Sequence, residues 1–282
     1  MMRQHHVNGV VYLSFPDIDV IPNVYNAFST RTGGISKGDF SDMNLSFGRG
    51  DEDDNVIFNY EKFCAAINIS PNTLVFASQT HSSNILEVTK ADCGKGIYCR
   101  KNWDEIDGLI TADPDVTLVA TFADCLPLLF VDQKKGIVAV AHAGWKGTVL
   151  QIAPKMVFKM RNKFFCDPED IIIGIGPSIG QCCFEVDENT AEEFKALPDS
   201  VISGCINKRQ DISDPSLFKY DINLQEINKN ELIQAGIPEN NIKFADICTK
   251  CNKDLFFSHR ATNGKRGGMA AIIGMRSQPE EL

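Results

Sequence analysis

Histidine is scarce in this chain, with five residues among 282. A multinuclear copper cluster needs many more imidazoles than that, so none is expected. Long apolar runs are missing too. A bilayer-spanning helix takes about 20 apolar residues, whereas the longest stretches here, Ile171 to Ile173 and Leu126 to Val131, have the length of buried strands. Net positive charge is absent: the formal charge is −9, which argues against general attraction to nucleic acid but leaves room for a local basic pocket. The N-terminus has no basic region followed by an apolar one, so no signal peptide is expected and the protein is expected to be cytoplasmic. In that compartment the ten cysteines read as thiols, one or two of them functional, rather than as disulfides. Repeats, low-complexity segments and linkers are also lacking. The expectation is one domain over residues 1–282, with 1–9, including His5 and His6, frayed.

What the chain does have is three soft-metal ligands in dense motifs of small and polar residues. His81 lies in Gln79-Thr80-His81-Ser82, Cys125 in Ala123-Asp124-Cys125-Leu126, and His142 in His142-Ala143-Gly144-Trp145-Lys146-Gly147. Two His and one Cys leave a tetrahedral metal one ligand short, the pattern of a catalytic zinc with an open position. The plainer reading is two hydrogen-bonded core histidines and a buried thiol. Against it, each residue follows or ends a strand-like run, and His142 meets two glycines at a strand-to-helix turn. The same set also suits copper, which in a blue-copper site needs a weak axial ligand; Met269 qualifies by residue type alone.

Hydrophobic patterning mixes strands with helices and favours an α+β fold over regular βαβ alternation. Strands are expected at Val10 to Phe15, Tyr25 to Thr30, Leu74 to Ala77, Asn84 to Val88, Leu109 to Thr111, Thr117 to Thr121, Leu126 to Val131, Gly136 to His142, Ile171 to Ile175, Ile242 to Asp246 and Ala270 to Met275. Helices are expected at Asn55 to Ile67, Thr148 to Phe164, Thr190 to Ala196 and Leu224 to Ala235, the last stopped by Gly236 and Pro238. Lys37 to Asp54 reads as a long loop, of the kind that is functional or disordered.

Several side chains are candidates for binding and catalysis. Arg31, Lys146 and Arg260 each stand beside glycine or small polar residues, where backbone N–H groups can cradle an anion such as phosphate while the cation neutralises it. Asn44 and Gln79 join them as candidate substrate- or phosphate-binding residues. Asp124 is a candidate general base or partner of a ligand imidazole. It shares the site with Cys125 only if the strand is broken there, because adjacent strand side chains face opposite ways. Glu185 is a weaker acid, read mainly as a solvated or paired carboxylate. Cys248-Thr249-Lys250-Cys251 is a C-x-x-C, but Cys182-Cys183 is a poor second pair by spacing, so it reads as structural rather than metal-binding. Cys93 and Cys99 lack metal-like context.

Together these motifs resemble the YfiH/YlmD-type family, long labelled polyphenol oxidase or multicopper laccase and now assigned to purine nucleoside phosphorylases. The resemblance runs from Phe28 to Gly274. It rests on Ser29-Thr30-Arg31-Thr32-Gly33-Gly34, Gln79-Thr80-His81, Asp107-Gly108, Ala123-Asp124-Cys125, His142 to Gly147, Ile175-Gly176-Pro177 and Phe256-Phe257-Ser258-His259-Arg260. Lys146 departs from the pattern, which more often has Arg, so a point charge replaces a planar fork. The resemblance implies layered mixed sheets flanked by helices in a four-layer α/β/β/α arrangement. It implies zinc on His81, Cys125 and His142, with Arg31 and Asp124 as catalytic candidates. It also implies phosphorolysis of adenosine, inosine, guanosine and methylthioadenosine, with deamination of adenosine. A copper-dependent phenol oxidase and a non-catalytic metal- or nucleotide-binding protein remain the alternatives.

Overall fold

Strands that are apolar along their whole length need cover on both faces, and two face-to-face sheets with outer helices supply it. The computed structural model describes residues 1–211 and 213–277, so residues 212 and 278–282 of the expected domain lie outside the described residues. In chain order its strands are β1 (Arg3–Val7), β2 (Val10–Ser14), β3 (Val24–Ser29), β4 (Leu74–Phe76), β5 (Ile85–Glu87), β6 (Gly108–Thr111), β7 (Thr117–Phe122), β8 (Leu126–Asp132), β9 (Ile137–Ala143), β10 (Ile171–Ile175), β11 (Glu185–Val186), β12 (Ile206–Gln210), β13 (Phe218–Ile222), β14 (Ile242–Phe244) and β15 (Met269–Met275). The helices are α1 (Pro16–Asp19), α2 (Asp53–Ala66), α3 (Trp145–Val149), α4 (Ile152–Phe164), α5 (Glu188–Lys195), α6 (Asp199–Ile202), α7 (Leu224–Gln234) and α8 (His259–Thr262).

One sheet runs β1-β2-β3-β15-β7-β4 and the other β14-β10-β8-β9-β6-β5. Both are mixed, with parallel pairs β4–β7, β5–β6 and β10–β14 among antiparallel ones. Between the sheets Phe28, Leu118, Ala271 and Ile273 pack against Leu109, Leu129, Val138 and Val140. On the outside of the first sheet, Val119 and Ile272 meet Val56, Tyr60 and Phe63 of α2. Outside the second, Leu128, Phe130 and Ala139 meet Ile152 and Met156 of α4 and Leu232 of α7. The expected four layers are therefore present. All seven residues of β8 and all seven of β9 are buried, and each large apolar side chain so enclosed contributes roughly 1.5–3 kcal/mol.

Three expectations change. Residues 1–9 are not frayed: β1 pairs antiparallel with β2 from Arg3 to Val7, and the His5 ring stacks on Tyr12 at 4.5 Å. The single helix expected from Thr148 to Phe164 is two, because Gln151 between them takes a left-handed φ of 59°. Pro154 then falls in the first turn of α4, where its missing N–H is not needed. The third sheet, β11-β13-β12, was not expected. Its strands are polar, and it closes over α5 and α6 as a separate small core built on Phe194, Val201 and Tyr220.

Candidate metal and substrate site

Two of the three ligands come from one hairpin. Cys125 immediately precedes β8 and His142 is the last residue but one of the facing strand β9, with Pro127 opposite His142 and Leu126 opposite Ala143. The chain is broken between β7 and β8 as required, since Asp124 takes a φ of 85°. His81 comes from the loop after β4 and also holds a positive φ, 64°. Non-glycine residues in that region need a compensating hold, and Asp107 provides it here. Its carboxylate accepts the backbone N–H of Thr80, His81 and Ser82 at 3.0, 3.1 and 2.7 Å and the Ser82 hydroxyl at 2.8 Å. The same carboxylate pairs with His142 Nδ1 at 2.8 Å. One buried anion thus shapes the His81 loop and leaves His142 Nε2 as the free ring nitrogen.

His81 Nε2 stands 3.7 Å from Cys125 Sγ, and the ligand atoms of all three residues lie within 4.8 Å of one another. Metal–sulfur and metal–nitrogen bonds of about 2.3 and 2.0 Å at tetrahedral angles separate N and S by about 3.6 Å, so the donors fit a zinc-sized ion. Gly144 makes the room: a Cβ there would lie 2.7 Å from His81 Cδ2 and 3.1 Å from Cys125 Sγ. Burial pushes the Cys125 thiol up, but His142 and His81 outweigh it and bring it down to about 6. Burial conversely lowers His142, while Cys125 and Asp107 raise it to about 9. A thiolate suited to a cation is therefore built into the fold.

The three ligands line a cleft of about 660 Å³ whose walls include Phe47, Phe76, Phe122, Trp145 and Phe184, within the size range of small-molecule sites. Arg49, Lys101, His259, Arg260 and Arg266 also line it. Lys101 donates to the Ala77 carbonyl at 2.8 Å. Arg266 is only 8% exposed, and its Nε has no hydrogen-bond partner among the described residues. Burial, then the nearby Arg49 guanidinium, push it down to about 10. Arg266 Nη1 donates to the Gly267 carbonyl at 2.9 Å, but no carboxylate among the described residues pairs with it, and a buried charge without a counter-ion is costly until an anion arrives.

The other expected residues divide. Arg260 reaches the cleft, its Nη1 donating to the Glu185 carbonyl at 2.8 Å. Gln79 does too, yet both ends of its amide are paired with Thr121. Arg31 does not: its guanidinium donates to the Ser41 and Lys253 carbonyls and lies 4.7 Å over the Phe257 ring. Asn44 is wholly buried and ties Ser46, Asp51 and Gly268 together. Lys146 is exposed, its ammonium over the Trp145 ring, and it does not line the cleft. Asp124 is buried as expected of a site residue. Its oxygens accept the Thr249 and Ser258 hydroxyls at 2.6 and 3.1 Å and the Arg260 N–H at 2.7 Å, the geometry of an anchor for residues 249–260. Glu185 pairs with Arg209. Met269 accepts the Phe257 N–H through its sulfur at 3.0 Å in the core, so it is no axial ligand. Asp107 entered the sequence reading only as part of a family motif, and Arg49 and Arg266 had no role in it. The C-x-x-C is not alone either, because Cys182, Cys183, Cys248 and Cys251 converge.

Known proteins resemble this chain along most of its length. A purine nucleoside phosphorylase, YlmD of Bacillus subtilis, is 37% identical over 254 residues, covering 90% of this chain and 89% of the relative. The crystal structure of YlmD from Geobacillus stearothermophilus superposes with a TM-score of 0.86 at 33% identity, covering 97% of this chain and 98% of the other. That of a Bacillus licheniformis hypothetical protein, YfiH, does so with a TM-score of 0.85 at 33% identity over 95% and 97%. Residues 25–276 match the family described as multi-copper polyphenol oxidoreductase laccase, and the chain belongs to that family.

Proposed function

We propose that this chain is a zinc-dependent purine nucleoside phosphorylase of the cytoplasm that also deaminates adenosine. The observation that carries the reading is the buried Arg266 guanidinium, its Nε without a hydrogen-bond partner and no carboxylate paired with it among the described residues, in the same cleft as His81, Cys125 and His142. A cation of that kind calls for an anionic co-substrate, and the relatives' name supplies one class of reaction that uses phosphate. His81, Cys125 and His142 would hold a zinc ion, which would supply Lewis-acid chemistry there.

The chain's own groups do the rest. Arg266 and Arg49 hold phosphate, and Arg260, also in the cleft, is positioned by Asp124 and the Glu185 carbonyl. The aromatic walls take the flat base. In phosphorolysis a phosphate oxygen bonds to the ribose anomeric carbon as the carbon–nitrogen bond to the purine breaks, giving ribose 1-phosphate and the base. Adenosine, inosine, guanosine and methylthioadenosine share that bond. Deamination instead replaces the 6-amino group of adenosine with oxygen from water and releases ammonia. Asp107 keeps His142 Nδ1 engaged in both cases.

Copper-dependent phenol oxidation, the activity in the family's description, is the second reading, because two His and one Cys also suit copper. The position of Met269 weighs against it. A third reading, a non-catalytic metal- or nucleotide-binding protein, predicts binding without turnover.

The test is product analysis with inosine and phosphate, with and without chelator, followed by a phosphate titration of variants. Arg266→Gln should raise the half-saturating phosphate concentration about ten- to a hundredfold, the worth of one charge-assisted hydrogen bond. Deamination of adenosine, which uses no phosphate, should change little. Lys146→Ala should leave the phosphate dependence unchanged. If Lys146→Ala moves it and Arg266→Gln does not, the anion site is elsewhere. Copper-dependent oxygen uptake with a phenol, and no base release, would establish the second reading.

A further inference from the structure

A second cluster of soft ligands lies outside the chemistry just described. We propose that Cys182, Cys183, Cys248 and Cys251 form a four-thiolate zinc site that clamps two walls of the cleft together. This inference does not depend on the activity assigned to the cleft.

The geometry is that of a tetrahedron without its centre. Sγ of Cys182 lies 3.8 Å from that of Cys183 and 3.6 Å from that of Cys251, and the sulfurs of Cys183 and Cys251 are 3.5 Å apart. Cys248 completes the set, with all four sulfurs within 4.8 Å of one another. Four Zn–S bonds of about 2.3 Å at tetrahedral angles place neighbouring sulfurs about 3.8 Å apart. None of the four is in a disulfide. Four thiolates with no imidazole or carboxylate among them select a soft, tetrahedral ion and leave no open position, so the site is structural. On binding, each protonated thiol releases its proton to solvent as its bond to the metal forms.

Two chain segments meet here. A parallel bridge between Ser178 and Cys248 sets residues 178–186 beside residues 246–251. The first segment carries Ile179 and Phe184 into the cleft, and the second leads into His259 and Arg260, which also line it. A closed metal site at their junction fixes both walls at once.

The experiment is a zinc count on the purified full-length chain combined with X-ray absorption at the zinc edge. Wild type should hold two zinc ions per chain, and Cys125→Ser one. The ion remaining in Cys125→Ser should show four sulfur neighbours at about 2.3 Å. Cys251→Ser should also hold one ion, now with a mixed nitrogen and sulfur shell. Should Cys251→Ser fail to fold, the Cys125→Ser spectrum decides by itself, because that change leaves the four thiols untouched. A metal-free Cys125→Ser protein would overturn the proposal. So would an intact mass showing a disulfide among the four cysteines, or a remaining ion without four sulfurs.

Discussion

The two ligand clusters differ in where their counter-charge comes from. Cys125 stands between two imidazoles, one of them braced by Asp107, so opposite charges face each other before any ion arrives. The four thiols have mainly one another. Burial and neighbouring thiols push Cys182 and Cys183 up, Cys183 to about 11. Only Cys248 is held below its ordinary value, by the N–H groups of Cys251 and Gly180 against the effect of burial. On the proposed function, the three-ligand site keeps one position open for a reacting group and is prearranged without its metal. A site whose only task is closure can leave the metal to neutralise it.

The largest test of that contrast uses the two glycines that pack on the clusters. Gly144→Ala puts a methyl 2.7 Å from His81 Cδ2 and 3.1 Å from Cys125 Sγ. Displacing ligands by the better part of an ångström should lower turnover by about a hundredfold or more, and one zinc should be lost while the four-thiol ion stays. Normal metal content and rate in Gly144→Ala would show that the three-ligand site is not prearranged. Next comes Asp107→Asn. It keeps the shape but weakens the brace on His142, so metal affinity of the three-ligand site should fall about ten- to a hundredfold. Competition with a chelator measures this, and an equal loss from the four-thiol site would erase the distinction.

A smaller effect concerns pH. In metal-free protein the Cys125 thiolate should persist down to about pH 6, because a depressed value means the reactive form survives as pH falls. The Cys183 thiolate should need about pH 11. Alkylation mapped by peptide mass spectrometry from pH 5 upward should label Cys125 at pH 7 and spare Cys183; a shared midpoint would refute the charge argument. Gly180→Ala closes the series. Its Cβ would lie 3.2 Å from Cys248 Cβ and 3.4 Å from Cys182 Sγ, contacts that small shifts absorb. Stability should fall by about 1 kcal/mol, by denaturant titration, with both ions retained.

What the sequence disclosed followed how local the cause was. β8 and β9 were legible because cover on both faces leaves an uninterrupted apolar run. The convergence of His81, Cys125 and His142 was legible because each sits in its own motif of small residues near a strand end. β12 and β13 were not, since Asn207, Lys208 and Gln210 are exposed on a sheet with a polar face. Arg266 and Arg49 escaped notice because lining a cleft without a carboxylate partner is a property of the folded molecule, not of a neighbourhood in the chain. Arg31 misled for the same reason: its glycines serve backbone packing, as a Cβ on Gly33 would lie 2.4 Å from the Gly9 carbonyl oxygen. The four cysteines met through one bridge between distant segments, which spacing alone does not reveal.

The hairpin of β8 and β9 has one more consequence, for which length changes the chain can absorb. Its turn, residues 133–136, lies at the end away from Cys125 and His142, and Gly136 there has a positive φ of 63° with open space around it. Residues added at that tip leave the pairing of Pro127 with His142 as it is. One residue added within β9 before His142 moves that side chain to the opposite face of the sheet, and one added within β8 displaces Cys125 relative to it. The same hairpin is therefore permissive to insertion at one end and intolerant at the other, and a peptide tag or reporter loop belongs at the tip.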